Sequence, residues 1–318
     1  MDYTLKGTES FGAFSLEFGV GIGRSGAGRS RPRKKARAMA DMKLARCLAV
    51  LCVLAAAFLA FRIPAAAAGA TLRIGSDISY APLEFFTKGD PKPRGFDMDL
   101  ARALGARLGR PVQILNKSFD SLLSDVADGK IDLAISAISD TRVREKQVSF
   151  IDYFLAGSGM LVPAGNRYHI FSLAALCGLP VDVQLATSQA EALQAQSVAC
   201  RRVGLAPIGL QQRVTDDKAL QLLLTGKSDV HVTDYPVVAY LARTLAGGKG
   251  YTVAGRQFDV VPYGIAVAKK NVALLQSVQS ALQSLIADGT YDRLLKKWGL
   301  GQGALRSTPI NAGTLYQH

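Results

Sequence analysis

The chain reads as an α/β protein of two lobes built on mostly parallel sheets, and three observations predict this. Strand-like and helix-like segments alternate from Thr71 to Trp298. Two stretches echo each other, Asp128-Gly-Lys-Ile-Asp-Leu-Ala-Ile-Ser-Ala-Ile-Ser139 and Thr225-Gly-Lys-Ser-Asp-Val-His-Val-Thr-Asp234. Each follows a helix-like apolar run, turns at Gly-Lys and ends a short strand on hydroxyl or acidic residues. Two further strand-like segments, near Ser158–Val162 and Val260–Ile265, are placed to cross between the lobes as a hinge.

Taken in order, Thr71 to Gly75 alternates apolar and polar residues and predicts the first strand. Phe96 to Leu108 predicts a helix. Asp97 or Asp99 is its expected cap, Leu100, Leu104 and Leu108 form one face, and Gly109 and Pro111 stop it. Val112 to Leu115 is a second strand, and the first echo follows. Ser158 to Val162 is a strand that breaks at Pro163-Ala-Gly165. Phe258 to Val267 is a strand-like return. Asn271 caps a helix with an apolar face of Val272, Leu275, Val278, Leu282 and Leu285. A last helix runs from Tyr291 to Trp298 and ends at Gly299; the tail beyond carries little pattern.

The 318 residues suffice for two domains with proper cores, and the composition is that of an ordinary globular protein. The formal net charge of +13 is uneven, because residues 1–70 hold 11 Lys/Arg against 4 Asp/Glu. That basic start is read as targeting sequence before it is read as a nucleic-acid surface. Residues 1–41 are Gly-, Ser- and Arg-rich and are expected to be a disordered basic extension upstream of a true start at Met42. A functional extension is the alternative. Lys43 and Arg46 precede the apolar run Cys47–Phe61, and Ala65–Ala70 supplies small residues; this is the order of a secretory signal. Arg62 interrupts the run before it reaches the length of a membrane span. Neither Cys47 nor Cys52 follows a small residue, so a lipid anchor is not expected and the product is expected to be soluble in the periplasm. After cleavage only Cys177 and Cys200 remain. In an exported domain they are either a disulfide or two buried thiols.

Catalytic signals are weak. His169, His231 and His318 have no metal-ligand spacing, and His231 is read as a core residue. No Gly-rich phosphate loop and no nucleophile–base set stands out, so no cofactor, metal or catalytic residue is expected.

The loop Gly75-Ser-Asp-Ile-Ser-Tyr-Ala-Pro-Leu-Glu84 is followed by Gly95-Phe-Asp-Met-Asp-Leu100, Ser136-Ala-Ile-Ser-Asp-Thr-Arg-Val-Arg144, Thr187-Ser188 and Asp234. This series resembles the family 3 solute-binding proteins of polar amino-acid ABC transporters, over essentially all of residues 71–299. The resemblance implies the periplasmic-binding-protein type II clamp, two α/β lobes with two hinge crossings. The lobes are then 71–160 with 260–300, and 161–259, preceded by a signal peptide over 42–70 and followed by a tail over 301–318.

The resemblance also implies roles. Arg144 matches the arginine that grips the ligand α-carboxylate, for which a planar fork is suited; Arg142 is left solvated. Ser139 and Ser188 match hydroxyls of the carboxylate and ammonium shells, and Thr187-Ser188 opens a helix whose N-terminus favours an anion. The family usually has Gly before that Thr, and here it is Ala186. Asp234 matches the acid that pairs with the α-ammonium and is expected to face Arg144. Tyr80 and Phe119 match aromatics that sandwich the ligand, although core packing is an equal reading of Phe119. Asp77 matches an acid that meets a distal polar group. Ser136 and Ala137 line the same strand end, Ala137 through its carbonyl, and Gln184 and Thr233 fall at pocket positions that vary with ligand. The implied partners are a polar amino acid and an ABC permease with its ATPase, with no nucleic acid, membrane contact only through the permease, and a monomeric state. The rivals are an enzyme of the cyclohexadienyl dehydratase kind, with Glu84 or Asp77 as its acid, and a ligand sensor.

Overall fold

A computed structural model describes residues 69–316, and the expectations for the basic extension, for nearly all of the signal segment and for His318 lie outside them. The strands are β1 (Leu72–Ser76), β2 (Phe85–Thr87), β3 (Asp90–Arg94), β4 (Val112–Asn116), β5 (Leu133–Ala134), β6 (Val148–Pro163), β7 (Pro180–Gln184), β8 (Gly209–Arg213), β9 (Val230–Asp234) and β10 (Tyr251–Ala268). The helices are α1 (Phe96–Arg107), α2 (Leu122–Ala127), α3 (Ser188–Arg202), α4 (Asp216–Leu224), α5 (Tyr235–Thr244), α6 (Val272–Ala287) and α7 (Thr290–Trp298). Among them no helix is long and apolar enough to cross a membrane.

One eight-stranded sheet runs β4-β1-β5-β10-β6-β9-β7-β8, and β2 and β3 form a separate hairpin. Its flanks are parallel: β1 pairs with β4 and β5, and β7 with β8 and β9. Its centre is antiparallel, through β5–β10, β10–β6 and β6–β9. The expectation of mostly parallel sheets therefore holds at the flanks and fails at the centre.

The two segments read as crossings fall within β6 and β10, which are far longer than the segments read from the sequence. Nearly every residue of β6 is buried, so its alternation is lost and residues 148–157 escape a period-two reading. The register slips between Ala254 and Phe258, and again between Phe258 and Val261. Gly157 sits at this point, where an added Cβ would lie 2.5 Å from the Phe258 carbonyl oxygen.

The echo has a local cause. Gly129 and Gly226 take left-handed φ of 76° and 70° just past α2 and α4. The amides of Lys130 and Lys227 then close onto the Asp125 and Leu222 carbonyls, which ends each helix and aims the chain into β5 or β9. One core cluster, including Met160, Val181, Leu193, Val230 and Val232, fills the β7–β9 flank. A larger one packs α1, α6 and α7 on the β1–β5 flank and extends to Val237, Val238 and Leu241 of α5.

Several local expectations change. α1 starts after Gly95 without a side-chain cap; Asp97 is wholly buried instead and accepts from Ala137 N at 2.9 Å and Tyr153 Oη at 2.7 Å. Asn271 does cap α6, accepting from Leu274 N, but Val272 is exposed and Leu274 takes its place inside. The tail is not patternless: Pro309 to Ala312 runs along the free edge of β6. Asp152 N donates to the Pro309 carbonyl, Phe150 N to Asn311 Oδ1 and Ala312 N to Asp152 Oδ2. His231 is in the core as expected, with Nδ1 2.5 Å from Asp182 Oδ1 and Nε2 3.5 Å from Asp216 Oδ1. Burial opposes its charge, but these two acids hold its pKa up at about 10.

Cys177 and Cys200 are joined in a disulfide that ties the segment before β7 to the end of α3. It closes a loop of sequence separation 23. Replacing both cysteines with serine is expected to lower unfolding free energy by about 3 kcal/mol in the chain-entropy picture. Denaturant titration with and without reductant measures this, and an unchanged midpoint contradicts it.

Asp152 and Asp140 are buried side by side under the tail, Asp140 Oδ2 accepting from Gly313 N at 2.9 Å. Burial, then the negative Asp140, raise the Asp152 carboxyl to about 8. The folded state thus holds this proton more tightly than the unfolded chain. The contribution to stability is greatest in acid and is lost as pH rises from the unfolded carboxylate range towards 8. Asp152→Asn is therefore expected to raise Tm, with a larger gain at pH 8 than at pH 5; a loss of Tm at pH 8 contradicts this.

Candidate functional site

The strand ends and loops of the two flanks converge on one cleft, which holds ≈ 320 Å³ of empty space including its mouth. It lies beyond the carboxyl ends of β1, β5, β7 and β9, as expected for an open α/β sheet. All eleven residues singled out as ligand-binding line it: Asp77, Tyr80, Phe119, Ser136, Ala137, Ser139, Arg144, Gln184, Thr187, Ser188 and Asp234. Thr233 does not. Its side chain turns behind the wall, where Oγ1 lies 2.6 Å from the Tyr80 hydroxyl.

Arg144 is half-buried, and its guanidinium donates to the Ser139 carbonyl at 2.9 Å and the Ala186 carbonyl at 3.1 Å. Its carbon sits 5.6 Å over the Phe119 ring. Phe119 thus lines the cleft and also packs against the cluster of Leu122 and Phe150. Burial lowers the Arg144 pKa, with Glu191, Asp234 and Asp140 opposing the shift. An arginine so placed keeps its charge. Arg142 is exposed, as expected.

Thr187 caps α3, its Oγ1 accepting from Ala190 N. Amides at the start of that helix are unpaired within it and favour an anion. Ala186, where the family usually has Gly, is held at φ 61°. The turn keeps the shape that glycine would take freely and carries the strain in an alanine. Ala137 is likewise held at φ 45°. Its amide is committed to Asp97, so what it offers the cleft is its carbonyl. Ser139 Oγ and Ser188 Oγ, from opposite flanks, are 3.3 Å apart.

Asp234 is buried at the end of β9. Its carboxylate accepts from Tyr80 Oη at 2.7 Å and from Gln189 Nε2 at 2.7 Å. It lines the same cleft as Arg144 and forms no ion pair with it. Burial pushes its pKa up to about 7, against the hydrogen bonds of Tyr80 and Gln189. Tyr80 lines the cleft with its hydroxyl tied to Asp234.

A second group of acids occupies the rest of the wall. Asp77 accepts from Gln184 Nε2 at 2.6 Å and from Ser79 Oγ at 3.0 Å, and burial raises its pKa. Ser136 Oγ accepts from Asp77 N and donates to Glu84 Oε1. Glu84 and Gln189 line the cleft without having been read as ligand-binding residues. Glu84 was visible only as the acid of an enzyme rival. Gln189 had a usable signal, since it follows Thr187-Ser188 in the first turn of α3. Among the described residues no group of His, Cys, Asp and Glu is arranged to hold a metal ion.

Residues 72–302 match the family model of bacterial extracellular solute-binding proteins, family 3. The arginine-binding protein ArgT of Corynebacterium glutamicum is 30% identical over 241 residues, which is 76% of this chain and 78% of that protein. The histidine-binding periplasmic protein of Salmonella typhimurium is 28% identical over 80% of this chain and 96% of its own length. Among solved structures, an ancestral arginine-binding protein bound to arginine superimposes with a TM-score of 0.64 at 35% identity, over 72% of this chain and 97% of that one. The match spans β1 to the end of α7 and takes in every residue that lines the cleft, so the chain belongs to the bacterial extracellular solute-binding proteins of family 3.

Proposed function

We propose that this protein is an exported, monomeric binding protein that captures an amino acid with a cationic side chain and delivers it to an ABC permease and its ATPase. One observation carries the ligand class. A single cleft has a guanidinium with two serines and a helix N-terminus on one side, a buried carboxylate on another, and two further acids at Asp77 and Glu84. The first set complements an α-carboxylate, and Asp234 complements an α-ammonium. Asp77 and Glu84 complement a positive side chain. The names of the relatives, which bind arginine or histidine, support the same class.

The lobes are 71–160 with 260–300, and 161–259, and they move about the register slips of β6 and β10 near Gly157 and Phe258. A zwitterion engaging residues of both lobes favours closure, because its full binding energy is realised only with both in place. The Ala-rich segment at 65–70 marks the cleavage region of the export signal.

Arg144→Ala is expected to weaken binding of L-arginine by more than 100-fold, since it strands a buried carboxylate without its partner. Calorimetric titration of the mature protein measures this, and near-normal affinity overturns the role given to Arg144. Silence of the wild type towards arginine, lysine, ornithine and histidine overturns the ligand class.

Binding by ionised Asp234 also sets a pH dependence. Its proton in the empty site leaves at about pH 7, and a bound ammonium pulls that value down. The contribution of Asp234 to affinity is therefore full above pH 7 and falls as pH drops below it. A loss of about 10- to 100-fold between pH 8 and pH 5 is expected. Asp234→Asn should bind weakly and flatten the profile; a flat wild-type profile contradicts this reading.

A further inference from the structure

Glu84 and Asp97 are two carboxyl groups that the hydrogen-bonding pattern leaves half-satisfied. Glu84 is 1% exposed and Asp97 is fully buried. Glu84 Oε1 accepts from Ser136 Oγ at 2.8 Å, while Oε2 has no partner. Asp97 Oδ2 accepts from Ala137 N and Tyr153 Oη, while Oδ1 has no partner. The two side chains are neighbours, and neither touches a cation among the described residues. Two buried carboxylates in that position cannot both be ionised; they hold one proton between them. Asp97 has the two donors that stabilise a charge, so the proton resides on Glu84, the member that lines the cleft.

The groups facing this pair fix its behaviour. Asp77, on the loop after β1, adds negative charge near Glu84, and Ser136, after β5, donates to it. Tyr153, from β6, donates to Asp97. Arg144 and Asp234 lie in the same cleft, Arg144 donating to the Ser139 and Ala186 carbonyls and Asp234 accepting from Tyr80 and Gln189, and neither is hydrogen-bonded to the pair. Outside the pair the cleft also holds Asp77, whose pKa burial raises, and Asp234, whose pKa stands at about 7.

We propose that Glu84 is a specificity-determining residue whose shared proton is expelled to solvent when a cationic side chain enters, so that a basic ligand is bound with one more proton released than its neutral isostere. The proposal rests on the reading of the cleft as an amino-acid site. A unit positive charge about 4 Å from Glu84, at a dielectric of about 20, favours its ionised form by about 1000-fold. That suffices to move the proton off the pair. A neutral side chain provides no such field and leaves the proton in place.

Burial and the negative Asp97 raise the Glu84 carboxyl well above the ordinary range, and Asp97 stands at about 6, in keeping with this assignment. Proton release at Asp234 is common to every α-amino acid and cancels when two ligands are compared.

The test is calorimetry of the mature protein near pH 7.5 in buffers of different protonation enthalpy, with L-arginine and its neutral isostere L-citrulline. Arginine is expected to release about one proton more than citrulline. Glu84→Gln should abolish that difference and cut the preference for arginine over citrulline at least tenfold. Asp97→Asn, which removes the neighbouring charge, should reduce the extra proton while arginine still binds.

Equal proton release by the two ligands in the wild type overturns the proposal, as does an undiminished difference in folded Glu84→Gln. If neither ligand binds, the amino-acid reading fails instead. Infrared difference spectra of the empty wild type and Glu84→Gln then decide the shared proton: a carboxylic-acid carbonyl band lost in the variant supports it, and identical spectra overturn it.

Discussion

The pairing of β6 with β10 is the constraint on which the rest of the molecule depends. Two strands of 16 and 18 residues run antiparallel through the middle of the sheet, and each flank is built outward from them. β5 joins β10 near Ala266 and Val267, and β9 joins β6 between Ser158 and Leu161. The site inherits its geometry from these registers. Ser158 faces Asp234 in the ladder, and Ser139 forms a bridge to Tyr263 of β10. The slips near Gly157 are where one flank gives way to the other, and a side chain there would collide with the facing backbone.

Charge is the second organising theme. The cleft and its supports contain more buried carboxyls than buried cations, and the fold meets this in two ways. Where donors converge, they oppose the upward pull of burial on the acid, as at Asp77 and at Asp97. Where they do not, the group keeps a proton, as at Glu84 and Asp152. An anionic cleft with protons in reserve suits a ligand that brings positive charge. His231, clasped between Asp182 and Asp216 at the base of β9, is the one place where the acids around the site have a charged partner built into the core. The strained alanines at 137 and 186 belong to the same economy of shape, since both hold the backbone at angles that aim carbonyls towards the cleft and Arg144.

Much of the site was legible because its residues come in short, ordered motifs at strand ends. Ser136 to Arg144, Thr187-Ser188 and Asp234 each sit where a strand gives way to a turn or helix, and local chemistry marks those places. Thr233 is absent from the cleft lining, and its hydroxyl is engaged by the Tyr80 hydroxyl, a contact across 153 residues that no local pattern records. Glu84 was singled out only as the acid of an enzyme rival, and Gln189 was passed over although it directly follows Thr187-Ser188. Glu84 reads as an ordinary loop acid, and Gln189 as a residue of a helix first turn.

The sequence by itself determined the local elements, the Gly-Lys turns that end α2 and α4, the disulfide as one of two alternatives, and the residue types available to a site. These follow from backbone preferences and short-range hydrogen bonds, which a linear pattern records. Only the tertiary structure decided that β6 and β10 are continuous strands, because burial on both faces erases the alternation that would announce them. It also decided that the tail seals an edge of the sheet, that Asp97 is an interior acceptor rather than a helix cap, and that Asp234 bonds Tyr80 and Gln189. Each of these is a contact between residues far apart in the chain. Desolvation and pairing, which set both the partners and the protonation of these acids, exist only once the fold has brought them together.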